Sequence, residues 1–480
     1  MNLETKRAGL APAPPWCAGE IGLAAVREER VKRRTKGKAV SWLGPTTLSL
    51  LFATSQALAA GGTSVSEQQR LDALSGNVTN LAGEVTQTQG EVKQIEKAIT
   101  VAPPAEGAQP QTVGEHVAKI ENDLKTNLGV SIHGLVDAGY EHNFNQPNGN
   151  TNLFRAWDAD GFQLTQANLH IERDGTVGFV SDINFGNVAN AISAATNFGP
   201  VHQTSAQWID PTQYYLTYTI PLGAGIAAQA GRFVTLLGAE VIPTYQNQNY
   251  NETRSFLFTL GEPLTHTGIQ GAYTFNDYVA VTGSLNNGWD NPQLNSNNGP
   301  NYEGELVLNT KDKSLSLVVN GIWGPNPASP TATNHSNMNL GAIDPIVTYK
   351  PAWLPGVTLE SEYLYASQSG PVVNGHSATW QGLAGYFVYD WTAWEFATRG
   401  EFFDDEDGAR TGTAQTLWEL TQTVTWKIPE VTGLMARLEY RHDNSNVQIF
   451  PNNNFVNPTT HQQQLWAGQD TLSANVIYTF

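Results

Sequence analysis

Cysteine is all but missing from the 480 residues: the single one, Cys17, lies in an N-terminal segment unlike the rest. With no second cysteine there can be no intrachain disulfide and no cysteine-built metal cage. Charge is also sparse, at 15% of residues, and the basic share is the smaller one, 26 against 44 acidic. Nine of the basic residues, but only four of the acidic ones, fall in residues 1–60. The remainder therefore carries 17 basic and 40 acidic side chains, a net charge of −23, which excludes nucleic acid as a partner. Long apolar runs are lacking too. After residue 60 nothing approaches the roughly 20 apolar residues that a membrane helix requires.

Aromatic residues and glycine are plentiful: 13 Trp, 16 Tyr, 18 Phe and 45 Gly. A disordered chain would not carry so many aromatics. Low charge and many aromatics, without long apolar runs, suit strands that alternate lipid-facing and water-facing residues.

The N-terminus reads as a secretory signal. Basic Val31–Lys38 precedes an apolar stretch and then Ala57-Leu58-Ala59, which sets cleavage after Ala59. Residues 1–59 are accordingly assigned as a signal peptide with a mis-assigned upstream start, translation beginning near Val31. Recovery of peptides from residues 1–30 in the precursor would refute that start. Residues 60–100 follow with Leu71, Leu74, Val78, Leu81, Val85, Thr88, Val92, Ile95 and Ile99 at alternating spacings of three and four. This is a heptad seam, about 43 Å long as a helix. It predicts a periplasmic, trimeric coiled coil, the alternative being one amphipathic helix packed on its own barrel. Residues 101–129 form a Pro-rich linker and a short helix with Val113, Val117, Ile120, Leu124 and Leu128 on one stripe.

From Val130 the period becomes two. Sixteen strands are expected, near 130–143, 162–173, 176–186, 212–221, 225–235, 265–275, 278–288, 301–310, 314–323, 338–349, 357–367, 379–390, 393–403, 415–426, 434–443 and 467–480. Their connections alternate between brief turns, such as Asp174-Gly175 and Asn276-Asp277, and long segments. The long ones are 144–161, 187–211, 236–264, 289–300, 324–337, 368–378, 404–414 and 444–466. Sorting of loops by length, with an even strand number, predicts an all-β fold: a transmembrane antiparallel β-barrel of about 16 strands spanning 130–480. The chain then belongs in a Gram-negative outer membrane, with outer-membrane lipid and the barrel-assembly machinery as partners and peptidoglycan as a further one.

Alternation assigns the faces. Trp394, Phe396 and Phe402 share one parity, with Glu395, Arg399 and Glu401 on the other. Glu419 opposes Trp418 and Leu420, while Arg437, Glu439, Arg441 and Asp443 oppose Leu438 and Tyr440. Charge on a lipid face costs a few kilocalories per mole, so these eight charges are expected to line the lumen as a pore wall. A sixteen-stranded interior is too wide for side chains to fill. The third long loop, with its apolar Phe256-Leu257-Phe258, is expected to fold inward and present Glu240, Glu252, Arg254 and Glu262 as a constriction. An acidic loop facing an arginine-bearing wall would set a transverse field and tune ion selectivity, with a lean toward cations. The alternative is that wall charges only pair across strands. On the last strand, Val476, Tyr478 and the terminal Phe480 are expected to form the membrane-insertion signal.

VDAGYEHNFNQP, GRFVTLLGAE, NYNETRSFLFTLGEPLTHTGI, NNGWD, RGEFFDDEDG and LEYRHDNS, in this order, resemble the OmpL-like β-barrel porin-2 family. The resemblance spans most of 130–480 and implies a passive diffusion channel for small hydrophilic solutes or ions. It brings no catalytic residue and no cofactor. Nor do the ten histidines show a metal spacing such as H-E-x-x-H or a nucleophile motif, so no metal ligand and no enzyme activity are assigned. The competing function is a structural barrel that tethers the envelope through its stalk.

Overall fold

The computed structural model describes residues 124–147, 160–196, 207–247, 249–291, 299–326, 338–373, 375–456 and 463–480. The signal peptide, the coiled coil and nearly all of the linker helix lie outside them. Of the expected linker helix only Leu124–Leu128 is described, as a π-helical turn leading through Gly129 into the first strand.

Among the described residues, eighteen strands follow. β1 to β6 are Val130–Asn143, Gly161–Arg173, Val177–Phe185, Ile209–Ile220, Ile226–Val234 and Thr265–Asn276. β7 to β12 are Val279–Asn286, Asn301–Asn309, Leu315–Pro325, Asn339–Tyr349, Val357–Val373 and His376–Trp391. β13 to β18 are Trp394–Asp405, Gln415–Lys427, Leu434–Ser445, Phe450–Val456, Gln463–Trp466 and Gly468–Thr479. Sixteen of them close an antiparallel barrel in which each strand pairs with its sequence neighbours. The seam joins β1 to β18, from Leu135 opposite Thr479 to Asn143 opposite Thr471. Closure leaves none of these sixteen strands with an unpaired edge, which is what lipid demands of a sheet.

The expected faces hold. Leu438, Leu420 and Val476 are about half exposed on the outer surface, whereas Arg399, Thr421 and Asp443 are fully buried inside. Aromatic residues gather at both ends of the outer face. Trp391, Trp394 and Trp426 sit by the short turns, with Trp394 and Trp426 stacked at 5.8 Å. Trp208, Tyr302, Trp323 and Trp418 sit by the long loops, as two headgroup belts require.

Three long connections contain more structure than the sequence reading assigned. Segment 368–378 is mostly strand, because β11 and β12 continue as a hairpin to the pair Val373–His376; Asn374-Gly375, a favoured hairpin dipeptide, was the overlooked signal. Residues 187–211 contain helix α1, Asn187–Thr196, whose Val188, Ala191 and Ile192 are buried. Residues 444–466 contain the small β16–β17 sheet, with Phe450 opposite Trp466. His376, expected in a loop, consequently begins a strand.

Candidate functional site

On both limbs of the connection between β5 and β6, residues 235–264, described residues meet inward-facing side chains of the barrel wall. The neck of this connection is closed by the Thr235 amide donating to the Leu264 carbonyl at 3.1 Å. On the outgoing limb, backbone amides meet one wall carboxylate after another. Leu236 N–H donates to Glu303 on β8 at 2.8 Å, Gly238 N–H to Asp344 on β10 at 2.7 Å, and Ala239 N–H to Glu362 on β11 at 3.2 Å. Further along, Gln166 of β2 donates to the Pro243 carbonyl at 2.7 Å, and Tyr245 stacks on His133 of β1 at 4.4 Å.

The returning limb meets β13 to β15 in the same manner. Glu252 and Thr253 amides donate to Glu439 at 2.6 and 2.9 Å, and those of Phe256 and Leu257 to Glu401 at 2.9 and 2.7 Å. Arginines supply the complementary donors. Arg399 gives a hydrogen bond to the Thr253 carbonyl at 2.7 Å, Arg437 reaches the Asn249 carbonyl at 3.3 Å, and Arg441 the Arg254 carbonyl. An irregular loop inside a barrel has no sheet partner for its amides and carbonyls, and unpaired ones would be costly. The wall charges satisfy them.

Apolar packing completes the seat. Phe256 and Leu257 enter a cluster with Leu364, Ala366, Trp380, Ala384, Tyr386, Phe403 and Leu417 of the wall. Phe258 faces the other way, into Val188, Ala191 and Ile192 of α1. The loop is thus packed between the wall of β11–β14 and the helix of the preceding long connection. After Phe256 the chain makes a π-helical turn, Leu257–Gly261, whose last carbonyl accepts the Trp380 indole N–H at 2.8 Å.

Of the four expected constriction residues, Glu240 pairs with Arg399 at 2.6 Å and Glu252 with Arg437 at 3.1 Å. Burial works to raise the Glu240 carboxyl, but Arg399, Arg254 and hydrogen bonds from Ser255 together outweigh it and hold it below the usual carboxylate range. Arg254 caps its own loop, donating to the Asn251 and Glu252 carbonyls at 2.7 Å. Glu262 stands apart from these, beside Asp344 and Glu362. Seven of the eight expected wall charges join one network with the loop; Arg399 bridges Glu240 and Glu419, and Arg441 holds Asp443 at 2.6 Å. The eighth, Glu395, lies at the short-turn end, paired with Lys427 at 3.0 Å. Arg437 and Arg441 do not pair with Glu439 between them on β15, because Glu439 is occupied by loop amides and by Thr423, whereas Arg399 does pair across strands with Glu419. At the seam, Phe480 exchanges backbone hydrogen bonds with Gly134 at 2.9 and 3.0 Å, while Val476 and Tyr478 face outward.

Sequence reasoning missed Glu303, Asp344 and Glu362, and the apolar inner wall. A signal existed. In β11, Tyr363-Leu364-Tyr365-Ala366 is apolar on both parities, so its lumen face needs something to cover it. Beside the loop a water-sized polar space of about 20 Å³ remains, lined among others by Asp137, Glu141, Glu252, Arg254 and Arg437.

A family described as beta-barrel porin-2, OmpL-like, matches residues 129–480. No curated protein matches the chain. Solved structures with a similar fold include the outer-membrane channel DcaP of Acinetobacter baumannii, 10% identical, TM-score 0.48, covering 73% of this chain and 97% of that one. Another is the anion-selective porin from Comamonas acidovorans, 8% identical, TM-score 0.48, covering 73% and 99%. A third is OprB of Pseudomonas putida, 12% identical, TM-score 0.47, covering 78% and 100%.

Proposed function

The chain belongs to the beta-barrel porin-2, OmpL-like family, and on that premise we propose that it is an outer-membrane porin, a water-filled channel for passive diffusion of small hydrophilic solutes or ions, narrowed by its inward-folded third long loop. The observation that carries the reading is the seat of that loop: wall carboxylates and arginines on β8, β10, β11, β13 and β15, with the Thr423 hydroxyl of β14, hold it inside the barrel. A loop fixed there reduces the cross-section and sets which charges a passing solute meets. The residual polar space beside it is lined by three acids and two arginines, which supports a cation lean. A homotrimer assembled through residues 60–100 belongs to the same proposal and is supported by the heptad spacing. Val476, Tyr478 and Phe480 are proposed as the signal read by the barrel-assembly machinery.

Purified protein in a planar bilayer tests the channel directly. Discrete conductance steps are expected, and a protein that is folded, inserted and silent would overturn the reading. Neutralising Arg437 and Arg441 together, as Arg437→Gln with Arg441→Gln, should move the reversal potential in a salt gradient toward cations. Unchanged selectivity would restrict both arginines to holding the loop.

A further inference from the structure

We infer that Glu262, Asp344 and Glu362 form a binding site for one calcium ion, which pins both ends of the inward loop to the barrel wall. One carboxylate oxygen from each residue lies within 4.8 Å of the others. The three side chains are 3%, 0% and 1% exposed. They come from the loop's end, from β10 and from β11, so no local spacing motif could have announced them.

Each wall carboxylate is held by one oxygen and leaves the other unused. Asp344 Oδ2 accepts the Gly238 amide at 2.7 Å and the Asn320 side-chain amide at 3.2 Å, and Glu362 Oε2 accepts the Ala239 amide at 3.2 Å. Among the described residues, Asp344 Oδ1, Glu362 Oε1 and Glu262 Oε2 are buried with no hydrogen-bond partner. Asn320 Oδ1, next to Asp344, is buried and unpartnered as well. The charged groups that act most on Glu262 are themselves acidic: Glu362, Asp344, Glu240 and Asp290. Glu240 is already engaged by Arg399. Buried carboxylates in such company demand a counter-charge, because burial without pairing is severely unfavourable.

The donor set selects the ion. Oxygen alone, with no nitrogen or sulfur, favours a hard cation. Calcium binds oxygens at about 2.3–2.6 Å, so oxygens on opposite sides of it stand about 4.6–5.2 Å apart. Three carboxylate oxygens within 4.8 Å of one another can share one cation of this size. Magnesium dehydrates reluctantly and usually keeps several waters, which suits an enclosed set of protein oxygens less well than calcium does.

Gly238 makes the approach of the two loop limbs possible. Its φ is +97°, and a Cβ there would stand 2.3 and 2.4 Å from the Glu262 carboxylate oxygens. An ion at this point would therefore tie the outgoing limb, through Asp344 and Glu362, to the returning limb at Glu262.

Terbium(III) luminescence is the test, using full-length protein stripped with chelator in detergent. Trp380 is the natural sensitiser, being hydrogen-bonded to Gly261, the residue before Glu262. One saturable terbium site per chain, displaced by calcium, is expected. Asp344→Asn and Glu362→Gln, each verified as folded by heat-modifiable gel mobility, should weaken binding about tenfold or more. Asp312→Asn, in an exposed turn, should bind as the parent does. Absence of saturable terbium and calcium binding to the unmutated protein overturns the site whatever the variants do; so does parental affinity in folded Glu362→Gln. Binding is read without conduction, so a silent barrel that still takes up one calcium would remove the channel reading and leave this one.

Discussion

Arg399 illustrates how much one buried side chain can carry here. It is fully buried, joins Glu240 of the loop to Glu419 of the neighbouring strand, and donates to the Thr253 carbonyl. Replacing it with alanine leaves two carboxylates and a carbonyl without their partner, which costs about 3–5 kcal/mol for a broken buried pair. The expected result for Arg399→Ala is a lower urea midpoint of the folded barrel on gels, with a loop newly cut by external protease. Glu240 gives the corresponding pH dependence. Its carboxyl is held below the ordinary range, so its contribution is fully present above the ordinary carboxylate pKa and is lost as pH falls through the depressed one. Acidification should therefore loosen the loop, seen as protease sensitivity appearing below the ordinary carboxylate range, and Glu240→Gln should be loose at neutral pH already. Sequence parity placed Arg399 and its neighbours on the inner face. It could not show that their partners are backbone groups of a segment about 150 residues away, because parity describes a strand and not what packs upon it.

The inward loop owes its place to two unlike surfaces. Phe256 and Leu257 are buried against the wall, and Phe258 against α1. Phe256→Ala should cost about 3–5 kcal/mol if the cavity does not collapse. In a channel the sharper readout is single-channel conductance, which should rise and become noisier as the loop loses its anchor; a quiet, unchanged conductance would count against the loop as the constriction. The apolar triplet was legible as a sign of inward folding, since an exposed loop has no use for it. The helix that covers Phe258 was not read from the sequence, although Val188, Ala191 and Ile192 stand at helical spacing. Ten residues within a long Asn- and Gly-containing connection are too short to be a stable helix alone, and packing on the loop is what supports them.

Closure of the whole barrel depends on the seam between its first and last strands. Gly134 lies across from Phe480, and a Cβ at Gly134 would stand 2.4 Å from the Phe480 ring. The aromatic ring occupies the place a side chain would take. Gly134→Leu should therefore reduce the yield of folded barrel in the outer membrane, measured as heat-modifiable protein, while secretion to the periplasm continues. For the assembly, deletion of residues 60–100 should leave barrels that conduct singly, whereas the intact chain is expected to open in steps of three and to cross-link as a trimer.

Strand number, loop sorting and the face of the quoted strand side chains were determined by the sequence alone, because a period of two in a lipid-spanning sheet admits only one assignment of faces. The sixteen expected strands coincide with the sixteen of the barrel to within a few residues, apart from the hairpin that lengthens β11 and β12. What only the tertiary structure decided is the partnership of those side chains. Glu439 serves loop amides and not its flanking arginines, and Asp344 and Glu362 stand beside Glu262 across large separations in sequence. Local patterning specifies which way a residue points. Which atoms it meets depends on how a long loop satisfies its own backbone inside a closed wall.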